Sequence, residues 1–188
     1  MSDEQRQKLQ ETGLVEWSVF SELVAMDEDE EGFSKSLFQT FVDQVLDTFQ
    51  QLDENLKEKN LDKLSALGHY LKGSAAALGL TTISTQCERI QNYGHKFNFD
   101  NFELTADDIR APSGDSIPNE TDNDTSKSND KSNEQKAAPS TLHNKSPAIP
   151  AESSDEFWIA LIQDALNKAR EGFVKSRAAL NEYFDDEL

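Results

Sequence analysis

Between Phe33 and Lys57 the apolar residues Leu37, Phe38, Phe41, Val45, Leu46, Phe49, Leu52 and Leu56 recur at intervals of three and four, a spacing that gathers them on one face of a helix. A face that wide has to be buried, and the same spacing returns in three further segments. These run from about Leu61 to Leu78, from about Thr82 to Tyr93, and from Phe157 through Leu161, Ala165, Ala169, Phe173, Ser176 and Leu180 to Tyr183. A shorter run from about Leu14 to Ala25, with Trp17, Phe20, Leu23 and Val24 in helical register, precedes them. No region alternates as a strand does. The pattern predicts an all-α protein: an antiparallel four-helix bundle with an additional short N-terminal helix and a long disordered loop before the last helix.

Local signals place the helix ends. Asn60 or Asp62 supplies an N-cap for the segment from about Leu61 to Leu78, and Gly79 and Gly94 stop two of the helices. Ser153 and Glu156 read as a capping box ahead of the final helix, which at about thirty residues spans roughly 45 Å. The acidic run Asp27 to Glu31, followed by Gly32, reads as a solvated helix entrance whose carboxylates favour the positive end of the next helix dipole.

The long loop is defined by composition. From Ala111 to Pro150 the chain holds all five of its prolines, seven serines and five asparagines, and no aromatic residue. Such a stretch cannot bury enough apolar surface to offset the entropy of ordering it, so it reads as a tether. The organisation predicted is a flexible N-terminus (1–13), the first part of the bundle (14–99), a disordered insertion (100–152) and a final long helix completing the same bundle (153–188).

Charge narrows the function. With 36 acidic against 18 basic residues the formal charge is −18, which argues against binding nucleic acid or an anionic membrane, since both need basic patches. The N-terminus is polar, without the apolar core of a signal peptide, and no run approaches the length of a membrane span, so an intracellular protein is expected. The single cysteine, Cys87, lies on an apolar stripe with Ile83 and Ile90 and is read as a packed thiol.

His69 is the candidate working residue. On a helical wheel Leu64, Leu67, Leu71, Ala75 and Leu78 form the core stripe of its helix and His69 falls nearly opposite. Ser65, Lys72, Gly73 and Ala76 lie at the offsets that touch it. Glycine in a helix interior costs about 1 kcal/mol relative to alanine, so Gly73 needs a reason, and room beside the imidazole is one. Lys72 offers a compact positive charge suited to phosphate oxygens. A neutral imidazole nitrogen is a competent nucleophile near neutral pH, and attack on an acyl phosphate gives a phosphohistidine. From spacing alone, a surface histidine beside a lysine, with Gly73 serving close helix packing, is the more ordinary outcome.

The stretch Gly68-His-Tyr-Leu-Lys-Gly-Ser-Ala-Ala-Ala-Leu-Gly79 resembles the signature of histidine-containing phosphotransfer (HPt) domains. Cys87-Glu-Arg-Ile-Gln-Asn92, and Met26-Asp-Glu-Asp followed by Phe33-Ser-Lys35, extend the likeness to the fungal phosphorelay intermediates of osmotic-stress signalling. The resemblance implies that His69 accepts a phosphoryl group from the receiver-domain aspartate of a hybrid sensor histidine kinase and passes it to the aspartate of response regulators. It further implies that Lys72 supports the phosphoryl group, Gly73 leaves it room, and Gln91 on the neighbouring helix orients the imidazole. Val19, Leu23, Met26, Phe33 and Leu37 resemble the family's docking patch, with core packing the alternative for some of them. By the same resemblance the chain has no cofactor of its own, Mg2+ resides on the receiver partner, and the protein is cytoplasmic and nuclear.

Two departures stand out. His95 occupies a position where an arginine is typical, and the insertion is longer and less charged than the acidic loops of relatives. Without a GxxxxGK[ST] loop or a kinase glycine-rich loop, no ATP site is expected. A bundle that closes its own core needs no second copy, so a monomer is expected. A purely scaffolding bundle is the competing class. A metal-dependent bundle enzyme is disfavoured, since Glu-x-x-His pairs are absent and His69, His95 and His143 are not spaced as a ligand set.

Overall fold

The computed structural model describes residues 3–105, 108, 150–185 and 188. Among them are six helices and no strand: α1 (Asp3–Glu11), α2 (Trp17–Ala25), α3 (Phe33–Lys57), α4 (Leu61–Ala77), α5 (Thr81–Gly94) and α6 (Asp155–Phe184), with a 3₁₀ turn at Met26–Glu28. Short connections make α3, α4 and α5 antiparallel neighbours, and α6 closes the bundle by packing on both α5 and α3. None of these helices is long and apolar enough to cross a membrane.

The apolar spacing translates into burial with one exception. Phe38, Phe41, Val45, Phe49, Leu52 and Leu56 of α3 are buried and Leu37 is partly so, whereas Leu46 is exposed and Val42 takes its place in the core. On α6 the expected stripe from Leu161 to Tyr183 is buried, and Trp158, Ile162 and Leu166 are buried as well. The last helix is therefore covered on more than one side. Phe20 anchors α2 to the bundle, its ring 5.6 Å from Phe38 and edge-on to Tyr183 at 5.0 Å.

Helices α4 and α5 approach closely because glycines face each other's backbone. A Cβ on Gly68 would lie 2.8 Å from the Gln91 nitrogen and 2.9 Å from the Cys87 carbonyl oxygen, and one on Gly94 would lie 2.8 Å from the Leu61 oxygen. Nothing larger than hydrogen fits at either point.

The caps sharpen the expected ends. Asn60, not Asp62, caps α4, its side chain accepting from the Lys63 N–H at 3.2 Å. Asp27 caps α3 from seven residues upstream: Oδ1 accepts the Ser34 N–H at 2.7 Å and Oδ2 accepts the Ser34 hydroxyl at 2.6 Å. The capping box expected of Ser153 and Glu156 is not formed. Ser154 is the N-cap, but its hydroxyl donates back to the Ala151 oxygen at 2.7 Å and makes no side-chain bond to the helix. Lysines at the same end of the bundle take the carboxylates instead, with Lys59 2.7 Å from Glu156 and Lys96 2.7 Å from Asp155.

Two boundaries move. Residues 1–13 were expected to be flexible, yet Asp3–Glu11 is a helix that buries Leu9 against the bundle and pairs Lys8 with Glu182 on α6. One apolar residue and scattered polar contacts, Gln5 and Lys8 both meeting Glu182, carry that docking, too little to register as periodicity. The insertion was expected to begin at residue 100, yet Leu104 is in the core, and Phe102 lies beneath the cations of Arg89 and Lys168 at 4.4 and 4.5 Å from its ring centre. Asn98 fastens this segment by bonding both backbone groups of Phe102. Most of the insertion, with His143, lies outside the described residues.

Candidate functional site

Helix α4 presents Leu64, Leu71 and Ala75 to the core and leaves His69, Gly73 and Ala76 in solvent, as the wheel requires. Tyr70, next to the histidine, is 57 % exposed. Ser65 does not belong to the open surroundings: it is buried, and its hydroxyl donates to the Gln91 backbone oxygen at 2.9 Å.

The two glycines that flank His69 do opposite things. At Gly73 a Cβ would meet nothing within 4 Å, so this residue serves no helix contact and leaves open space one turn beyond the imidazole. The close-packing glycine is Gly68, immediately before His69, and it sets the separation of α4 from α5. Sequence reasoning gave Gly68 no role. Its signal was present, since Gly68 adjoins Leu64, Leu67 and Leu71 on the wheel.

Lys72 is half-buried and pairs across the helix interface with Glu88 of α5, Nζ to Oε1 3.4 Å. Sequence reasoning missed Glu88 too, although it precedes Gln91 by three residues and so shares its face. Gln91 is half-buried on the side of α5 that meets α4, its backbone nitrogen being the nearest atom to a Cβ at Gly68. Among the described residues its buried Oε1 has no hydrogen-bond partner, and the expected bond to His69 is not formed. A buried amide oxygen without a donor is costly, which marks Gln91 as an acceptor available to an N–H brought near it.

Helix α5 is held against rotation by Arg89, which is 6 % exposed. Its Nε donates to the Tyr93 hydroxyl at 2.9 Å and to Asp100 at 3.0 Å, and its Nη1 donates to Gln86 at 2.8 Å and to Asp164 of α6 at 3.2 Å. Burial works against the guanidinium charge, but the Tyr93 bond and the charges of Asp164 and Asp100 outweigh it and raise its pKa. Burial likewise pushes the Tyr93 hydroxyl well above its ordinary value, assisted by the bond it donates to Asp100 at 2.8 Å. Cys87 is fully buried, as its stripe implied, and burial raises its thiol to about 12.

Of the five residues that resemble a docking patch, Met26 is exposed (48 %), and Val19, Leu23, Phe33 and Leu37 are partly covered. Leu23 and Leu37 also pack on the core. Val19 lies 3.3 Å from where a Cβ of Gly79 would be, and the Glu16 N–H donates to the Gly79 oxygen at 2.7 Å, so α2 is tied to the α4–α5 turn. His95 lies at the other end of α5, exposed beside Lys59, Asn60, Lys96 and Asp155. Among the described residues no three His, Cys, Asp or Glu side chains are grouped to hold a metal ion.

An exposed histidine on a bundle helix, with an ammonium three residues on and open space four residues on, is the arrangement of a histidine phosphotransfer module. The Hpt domain family matches residues 36–111, which include His69, Lys72, Gly73 and Gln91. The chain is 56 % identical to the phosphorelay intermediate protein YPD1 of Candida albicans over 98 % of its own length and 100 % of that protein's. It is 35 % identical to the YPD1 of Saccharomyces cerevisiae, over 93 % and 96 %. A crystal structure of yeast Ypd1 superposes with a TM-score of 0.66 at 29 % identity, covering 93 % of this chain and 96 % of that one. The S. cerevisiae protein co-crystallised with the receiver domain of its downstream response regulator Ssk1 superposes at 0.64 with 32 % identity, covering 93 % and 97 %. The chain belongs to the histidine-containing phosphotransfer family, among its phosphorelay intermediates.

Proposed function

We propose that His69 is the phosphoryl carrier, taking the group from the receiver-domain aspartate of a hybrid sensor histidine kinase and giving it to the aspartate of response regulators. The observation that carries this reading is the open position at Gly73, one turn from an exposed imidazole and next in sequence to Lys72. In the transfer the lone pair of an imidazole nitrogen forms the N–P bond, and the P–O bond to the aspartate breaks, its electron pair leaving with the carboxylate. Lys72 meets the phosphoryl oxygens as a point charge. Gln91, whose buried Oε1 has no partner among the described residues, accepts the N–H of the other imidazole nitrogen and so fixes the attacking tautomer.

Mg2+ would be held by the receiver domain and would supply charge neutralisation there, and this chain works only together with such a domain, without a nucleotide of its own. Met26 and the partly covered Val19, Leu23, Phe33 and Leu37 form the surface on which the receiver docks. The carrier acts as a monomer in the cytoplasm and the nucleus. The test is to mix the chain with a receiver domain bearing labelled phosphate and follow acid-labile label. Wild type takes up label and His69→Gln takes up none. Label on His69→Gln equal to wild type overturns the assignment and favours a scaffold that binds receivers without transfer.

A further inference from the structure

Among the described residues the Glu88 carboxylate bonds to no side chain but Lys72, the cation three residues beyond His69 on α4. Lys72 is the only basic residue of α4 within two turns C-terminal of the histidine, and Lys63 lies six residues before it. The basic residue of α5, Arg89, is engaged by Gln86, Tyr93, Asp100 and Asp164. The Lys72–Glu88 contact is single, 3.4 Å long, with side chains 33 % and 45 % exposed. It neutralises the site's positive charge but is too long and too wet to lock a flexible four-carbon stem in place.

A phosphoryl group on His69 adds about two negative charges. The Lys72 ammonium then has two anions to serve, and the Glu88 carboxylate repels the newcomer. We propose that Glu88 is a resident competitor for Lys72 that keeps phosphorylated His69 labile, and so sets how the phosphoryl group divides between this chain and its receivers. This rests on the reading of His69 as carrier. In the exchange the aspartyl phosphate and free imidazole become free aspartate and phosphohistidine, with one P–O bond broken and one N–P bond made. Glu88 acts only on the charge balance between the two sides. A site with an uncontested lysine would trap the group. A carrier has to hand it on.

The experiment uses full-length wild type, Glu88→Gln, Lys72→Ala and the double variant, each mixed with a purified receiver domain carrying labelled phosphate, and reads the division of label at equilibrium. Gln at position 88 keeps the size and the acceptor oxygen, so only the charge is removed. Glu88→Gln shifts the division toward the chain by about two- to fivefold, the range of a solvent-screened ion pair. The shift shrinks when salt is raised and shrinks when Lys72 is already alanine. A division equal to wild type or moved toward the receiver overturns the proposal, because it makes Glu88 a bystander or a support for Lys72. A gain undiminished in the Lys72→Ala background overturns it as well. A wild-type chain that takes no label overturns the His69 reading and this one with it, whereas a labelled wild type with an unshifted Glu88→Gln overturns this one alone.

Discussion

Gly68 and Gly73 are five residues apart on one helix, and adding a methyl group to each has opposite consequences. At Gly68 the new Cβ falls 2.8 Å from the Gln91 nitrogen, 2.9 Å from the Cys87 oxygen and 3.0 Å from Ile90 Cγ2. The first two atoms are donor and acceptor of one helical hydrogen bond of α5, so no rotamer change relieves the clash and the helices must part. Overpacking of this kind costs about 1–3 kcal/mol, toward the upper end where backbone is struck. Alanine's better helix propensity returns about 1 kcal/mol, leaving Gly68→Ala destabilised by about 1–2 kcal/mol. At Gly73 only the propensity gain acts, because nothing lies within 4 Å of the new methyl. For a chain of this size 1 kcal/mol moves the melting temperature by about 2–4 °C. Thermal unfolding followed by circular dichroism should therefore place Gly73→Ala about 2–4 °C above wild type and Gly68→Ala about 2–8 °C below. Gly73→Gln also stays folded but fills the space beside His69, and its transfer rate falls by about tenfold or more through misplacement of the reacting groups. A Gly68→Ala protein that melts at or above wild type refutes the close approach of α4 and α5. A Gly73→Gln protein that transfers at the wild-type rate refutes the role given to the open space.

Arg89→Ala removes the partner of Asp164, a nearly buried carboxylate that retains Lys168 at 2.8 Å, and urea unfolding should show a loss of about 3 kcal/mol. Arg89→Lys should recover only part of it, since one ammonium cannot reach Gln86, Tyr93, Asp100 and Asp164 in the fixed directions of a guanidinium. Cys87 should resist alkylation at pH 8 in the native chain and react at once in denaturant, because burial raises its thiol to about 12. The same shift has a definite sign in stability: the unfolded thiol loses its proton first, so the contribution is intact below the usual cysteine pKa of about 8.5. It falls as pH rises toward about 12, which unfolding midpoints over that window would register against Cys87→Ala. Asp27→Ala should cost about 1–2 kcal/mol by uncapping α3 and leaving the buried Ser34 hydroxyl without its acceptor.

The helices and their order were legible because burial on one side imposes a 3.6-residue period, and α3, α4 and α5 fall within a residue or so of the spans read from it. The exposure of His69 was legible for the same reason, as the complement of the Leu64–Leu71–Ala75 stripe. What the period cannot carry is any interaction between segments far apart in the chain. Helix α1 holds by Leu9 and by Lys8 with Glu182, a pairing across 174 residues. Glu156 fits a capping box by spacing and is drawn off by Lys59, 97 residues away. Gly73 admitted two explanations from its position alone, and only the surroundings of its missing Cβ separate close packing from open space. Lys72 looked like an unopposed charge until its helix was laid against α5 and Glu88 came within reach.

The residues that act on a phosphoryl group and those that merely hold the bundle are not separable at this site. Lys72 reaches Glu88, and Gln91 faces α4, only because Gly68 and Gly94 let two backbones approach to distances a methyl group would forbid. The azimuth of α5, which decides that Glu88 and Gln91 rather than their neighbours face α4, is fixed by Arg89, whose partners lie on α6 and on the segment that opens the insertion. Asp100 and Phe102 thus connect the beginning of the long loop to the helix beside His69. A change there need not touch the imidazole to alter transfer: weakening the Asp100 bond loosens α5 and with it both groups that contend for, or complete, the site. Asp100→Asn keeps the shape and removes the charge. It should lower stability by less than Arg89→Ala does, because Asp164 and Tyr93 still hold the guanidinium, while changing the equilibrium division of label at unchanged receiver affinity. Loss of receiver binding in that variant, measured directly, would place the effect on docking instead and break the link from loop to helix to site.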